Sequence, residues 1–124
     1  MSYTAVWACY VPRAELETYR QIWREAIPFY LEHGTRQTTM LMPVDVTSEK
    51  YGCGPLADAL VGASDDDTVL ILGVDVFDSR EQADAAMDSL MGDERFKEVS
   101  DRCIPIFGED MSKAFLRGEY TSYE

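Results

Sequence analysis

The chain has 124 residues, 46% of them apolar and 27% charged, with 23 acidic side chains against 11 basic ones and a formal net charge of −12. That length builds one hydrophobic core and not two, so a single domain over residues 1–124 is expected. The acidic balance repels phosphate backbones and anionic lipid, which argues against nucleic-acid and membrane partners.

Tyr3 to Val11 is rich in strand formers, with Val6, Trp7, Tyr10 and Val11, and predicts a first strand that Pro12 closes. From Arg13 the period lengthens. Leu16, Tyr19, Trp23, Ala26 and Tyr30 step by three and four along one helix face, and Ile22, Ile27 and Phe29 widen it. Pro28 falls inside this pattern and predicts a kink, because it removes one backbone bond and crowds the carbonyl of Arg24. Gly34 then suits the helix end.

Thr35 to Val46 reads as a second strand through Thr38, Thr39, Val44 and Val46, weakened near its end by Pro43. Ser48 to Asp67 is long and irregular, punctuated by Gly52, Gly54, Pro55 and Gly62, with room for a short helical turn from Leu56 to Leu60. Connections of this length often serve as a lid, a binding loop or an interface arm. The triplet Asp65-Asp66-Asp67 is most simply a solvated turn.

Thr68 to Phe77 is nearly continuous in Val, Leu and Ile, and predicts a central strand covered on both faces. Ser79 with Gln82 forms a capping box before a helix whose face carries Ala83, Ala86, Met87, Leu90 and Met91. Gly92 ends it. Asp93 can cap a further short helix with Phe96 and Val99, which stops before Pro105. Lys113 to Tyr120 alternates as a last strand. The order β-α-β-β-α-β is the split βαβ, ferredoxin-like α+β pattern, an antiparallel sheet with helices on one face. Trp7, Met40, Met42, Val69 and Ile71 are the residues expected on the other face. A patch of that kind needs a cover, and a second copy stacked sheet against sheet, a homodimer, is the simplest one.

Cys9, Cys53 and Cys103 are odd in number and widely spaced, which fits a reduced cytoplasmic protein better than a disulfide scaffold. They do not form a zinc pattern with the one histidine, His33, so no metal and no cofactor is expected. The start lacks the basic segment of a secretory signal, and no stretch reaches the ~20 apolar residues of a membrane-spanning helix.

Tyr10-Val11-Pro12, Leu16-Glu17-Thr18-Tyr19-Arg20, Ala26-Ile27-Pro28, Glu32-His33-Gly34 and Asp93-Glu94-Arg95-Phe96 together resemble the YbaA-like family, an uncharacterised bacterial group of the dimeric α+β barrel superfamily. The resemblance covers most of the chain and implies a ferredoxin-like protomer whose sheet faces a partner's sheet across a dimer. Relatives in that superfamily include cofactor-independent monooxygenases, dehalogenating or decarboxylating enzymes, heme-handling proteins and ligand-sensing domains, and fold kinship does not choose among them. The resemblance also implies polar groups on the barrel-facing strands, yet Ala5 and Met40 stand where acidic side chains are expected.

Two residues suit proton transfer. His33 is the one side chain of a type whose unperturbed pKa lies near neutrality, but at a helix end it can equally cap the last carbonyls. Asp75 interrupts an apolar strand on the face of Val69, Ile71 and Gly73. Inside a cavity its carboxyl would be raised in pKa and could act as a base, and near a strand end it would instead pair with Arg117. Trp7, Cys9, Met40 and Arg117 are the candidates to line a small-molecule site between the two sheets, with Glu119 as a further polar companion. Cys53, between two glycines, is expected to be exposed, without a basic group to activate it. A ligand-binding dimer, a cofactor-independent monooxygenase and a purely structural or regulatory dimer all fit these residues.

Overall fold

A computed structural model describes residues 2–44, 50, 52, 53, 56, 67–109 and 114–122. The described elements are β1 (Tyr3–Pro12), a 3-10 turn (Arg13–Glu15), α1 (Leu16–Glu32), β2 (Gln37–Leu41), β3 (Thr68–Phe77), α2 (Arg80–Met91), α3 (Glu94–Asp101), α4 (Ile104–Phe107) and β4 (Phe115–Thr121). The strands form one antiparallel sheet in the order β2-β3-β1-β4, the split βαβ topology.

Local chemistry explains the boundaries. Ser79 Oγ accepts from the backbone N–H of Gln82 at 3.1 Å and opens α2. Asp93 accepts from the backbone N–H of Arg95 at 2.9 Å and opens α3. Pro28 lies within α1 and leaves the Arg24 carbonyl without its helical partner. Gly34, at φ 111°, turns the chain out of α1, and the backbone N–H of Thr35 bonds the Tyr30 carbonyl at 3.0 Å. The second strand is shorter than its sequence suggests, ending at Leu41 before Pro43, which has no N–H for a ladder. Val46, residues 57–60 of the expected turn and Asp65 and Asp66 of the aspartate triplet lie outside the described residues.

The two sheet faces require a correction to the sequence reading. Burial along β3 alternates, with Val69, Ile71, Asp75 and Phe77 at 6% exposure or less. Across the ladders these residues share a face with Trp7, Cys9 and Val11 of β1 and with Thr38 and Met40 of β2. This face packs against Tyr19, Ile22 and Trp23 of α1. Trp7, Met40, Val69 and Ile71 therefore lie beneath the helices and not on the outer face. The outer face carries Val6, Tyr10, Leu70, Leu72, Val74 and Val76, all half-buried, with Leu116 and Tyr120 exposed on the edge strand. β3 is central, as its apolar run suggests, but within this chain only one of its faces is fully covered. The reason is that both faces are aliphatic, so alternation locates the pleat without saying which side the helices take.

Candidate functional site

A cavity of about 270 Å³ lies between the sheet and the helices. Its sheet side is Trp7, Asp75, Phe115 and Arg117, and its helix side includes Trp23, Ala26, Tyr30 and Phe96. The aromatic walls are continuous. Trp7 stands 5.3 Å from Trp23 and 6.1 Å from Phe115 between ring centroids, Trp23 stands 5.6 Å from Tyr30, and Tyr30 stands 5.5 Å from Phe96. Ala26 is small among these rings, which leaves the space open. Ser100 and Cys103, from the end of α3 and just beyond it, also reach the cavity.

Asp75 is its buried polar group, 1% exposed. Thr38, directly across the β2–β3 ladder, donates its hydroxyl to Asp75 Oδ1 at 2.6 Å. Burial pushes the Asp75 carboxyl above the ordinary carboxylate range, against the Thr38 bond, the Arg117 charge and the Trp7 indole N–H, which all favour the ionised form. Of the two readings left open for Asp75, the structure has the buried carboxyl and not the one paired with Arg117 near a strand end. The carboxyl is buried on the cavity wall, and among the described residues no ion pair within 4.0 Å joins it to Arg117, whose Nη2 instead lies 3.8 Å from Glu119 Oε1. Tyr30 completes the polar end. Burial and the Asp75 charge push its hydroxyl pKa up, while Arg117 pulls it down.

The other candidate residues separate. Cys9 is beneath the cavity, where its Sγ donates to the Tyr19 hydroxyl at 3.7 Å and burial pushes its pKa up to about 12. Cys103 is likewise pushed up to about 11 by burial. Both thiols are protonated at neutral pH and are poor nucleophiles. Met40 lines a different groove, between α1 and β2, with Arg20 and Arg24. Cys53 is exposed. His33 is remote in role from Asp75. Its Nε2 donates to Asp93 Oδ2 at 2.7 Å and its Nδ1 meets Ser89 Oγ at 2.6 Å. Arg95 joins the same cluster through Asp93 and Glu32. His33 thus ties the end of α1 to α2 and α3 by side-chain bonds, in place of the carbonyl cap expected from its position.

The sequence reading brought Trp7, Asp75 and Arg117 to one site and missed Thr38, Trp23, Ala26, Tyr30 and Phe96. The helix residues were legible only as a core stripe. The available signal was Ala26, one methyl group between large aromatics on the same face.

A family model described as "Protein of unknown function (DUF1428)" matches residues 2–107. No curated protein matches the chain. Among solved structures the chain is similar to a NIPSNAP family protein of unknown function from Agrobacterium tumefaciens, with a TM-score of 0.66 and 10% identity over 98% of this chain and 87% of that one. It is similar to a NIPSNAP domain protein from Burkholderia xenovorans, at a TM-score of 0.64 and 8% identity over 98% and 94% of the two chains. It is also similar to SnoaB, a cofactor-independent oxygenase from Streptomyces nogalater, at a TM-score of 0.56 and 12% identity over 99% and 94%. At these identities the likeness shows the α+β fold alone and nothing of the chemistry. No helix among the described residues is long and apolar enough to cross a membrane.

Proposed function

This chain belongs to the DUF1428 family, and we propose that it binds a small aromatic molecule in the cavity between its sheet and α1, with Asp75 as the polar group that orients the ligand. The observation that carries this is a carboxyl 1% exposed within a wall of aromatic rings. An apolar pocket with few convergent polar groups is the ordinary form of a small-molecule site. A charge buried without such a purpose lowers stability. The ligand seat is thus inside one protomer, in place of the space between two sheets.

Pairing with a second copy belongs to the same reading, on a different basis from Trp7 and Ile71. The outer face presents Leu70, Leu72, Val74 and Val76 beside Val6 and Tyr10, a half-buried, largely aliphatic surface that a second copy would cover. Two such faces stacked would form the closed barrel of the fold. The YbaA-like motifs at Tyr10-Val11-Pro12 and Asp93-Glu94-Arg95-Phe96 fall inside the matched segment, and we read both names as one group. A net charge of −12 supports partners other than nucleic acid, and three widely spaced cysteines support a reducing, cytoplasmic setting.

A second reading is a cofactor-independent oxygenase. It is supported by the likeness to SnoaB and by a raised-pKa carboxyl placed to take a proton from a bound aromatic. Titration of tryptophan fluorescence with small aromatic compounds tests binding, since Trp7 and Trp23 line the cavity. Saturable quenching that Ala26→Phe abolishes, with the fold intact, supports the site. Oxygen uptake with a bound phenol or quinol, without added metal or flavin, separates the enzyme from the binding protein.

A further inference from the structure

The charge pattern at the polar end of the cavity limits what the ligand can be, given that the cavity is the ligand site. Asp75 is an acceptor that takes the Thr38 hydroxyl on Oδ1 and faces the Trp7 indole N–H, and a carboxylate can accept further donors from the apolar-walled space it lines. Arg117 lines the same space, one position diagonal to Asp75 across Ala5, since Ala5 pairs with Asp75 and Trp7 pairs with Arg117. Tyr30 is the other titratable group at this end. Among the described residues that line it, the cavity therefore holds one buried carboxylate, Asp75, and at its edge one positive charge, Arg117, which Glu119 approaches to 3.8 Å from outside the lining.

A ligand carrying a full negative charge meets Asp75, and a cationic amine meets Arg117. A hydrocarbon or an ether enters the apolar part but brings no donor to Asp75, and so forgoes a hydrogen bond to a charged group. A neutral hydroxyl resolves all three conflicts. It donates to Asp75, and the partial charge this builds on its oxygen faces Arg117. Size restricts the ligand further. A cavity of about 150 Å³ holds benzene, and pockets for drug-sized ligands begin near 300 Å³. At about 270 Å³ this one fits one or two rings.

We infer that the ligand is a one- or two-ring aromatic alcohol of the phenol class, whose hydroxyl donates to Asp75 while its oxygen faces Arg117. Naphthol, methoxynaphthalene, naphthoate and (naphthylmethyl)amine, which is cationic at neutral pH, are compared as probes of wild-type protein by tryptophan quenching and calorimetry. Naphthol is expected to bind at least about tenfold more tightly than each of the others, and a phenol with three fused rings more weakly still. Asp75→Leu is expected to abolish the preference for naphthol over its methyl ether while retaining the ether. Asp75→Asn, which keeps an acceptor oxygen and the shape, is expected to retain part of it. Arg117→Leu is expected to weaken naphthol and leave the ether unchanged. If the ether matches naphthol, or if the acid or the amine binds best, the phenol class is overturned while the cavity remains a ligand site. If none of the probes binds, the cavity is not a ligand site and both readings fall.

Discussion

The Trp7 indole lies flat over Gly73, its partner across the β1–β3 ladder, in the space a side chain at position 73 would occupy. A Cβ built on Gly73 would overlap the indole ring and nitrogen. The missing side chain is thus what brings Trp7 across the strand, with its N–H turned to Asp75 two residues along.

Gly73→Ala is expected to force Trp7 out of this position. Overpacking of this kind costs about 1–3 kcal/mol. The melting temperature should fall, the tryptophan emission should move to longer wavelength as the ring meets water, and naphthol affinity should fall with it. An unchanged emission spectrum would show that Trp7 does not depend on the gap.

Asp75→Asn is expected to change stability with a definite pH dependence. The folded-state pKa of Asp75 is raised by burial. Between the ordinary carboxylate value and that raised value, the folded chain binds more protons than the unfolded one. Stability from this group therefore declines as pH rises through that window. The asparagine variant should be more stable than wild type at neutral pH, and its advantage should vanish in acid. Thermal melts of both proteins across pH check the sign. An asparagine variant less stable at neutral pH would mean that the carboxylate is held by partners that outweigh its burial.

Much of the fold was legible in the sequence. Thr68–Phe77 forms a strand over the span its apolar run defines, and Ser79 and Asp93 cap helices as their positions require. The face assignment was not legible, because Leu70, Leu72 and Val74 are as apolar as Val69 and Ile71. Asp75 was visible as an interruption. Its setting is supplied by Thr38, which bonds it, and by Trp23 and Tyr30, which line the same cavity, residues far away in sequence that carry no signal beyond strand or helix period. Gly73 read only as a gap in the strand, since the ring that fills it comes from β1.

The two faces of β3 should respond differently to charge. Ile71 is fully buried under the helices. Ile71→Asp is expected to unfold the protein, since an uncompensated buried charge costs about 3–5 kcal/mol. Val74 lies on the outer face and is half-buried in the single chain. Val74→Asp is expected to leave the circular dichroism spectrum unchanged and convert a dimer to a monomer in sedimentation equilibrium. A wild-type monomer at micromolar concentration would remove the case for pairing.

The His33 cluster should act on stability without acting on the ligand. Hydrogen bonds from Arg95 and His33 hold the Asp93 carboxyl well below the usual carboxylate range. Its contribution is therefore present above that range and lost as pH falls through the lowered folded-state pKa. Asp93→Ala is expected to lower the melting temperature at neutral pH and to leave naphthol affinity unchanged. The same holds for His33→Gln. Loss of binding in either variant, at full folding, would place His33 in the site.

A crystal of the protein grown with naphthol decides whether an aromatic ligand lies between the sheet and α1. The rings are expected among Trp7, Trp23 and Phe115, with the hydroxyl oxygen at hydrogen-bonding distance from Asp75 and turned towards Arg117. Naphthol seated on the outer sheet face, or a cavity left empty at a concentration that saturates the fluorescence change, would contradict the assignment of this cavity as the ligand site.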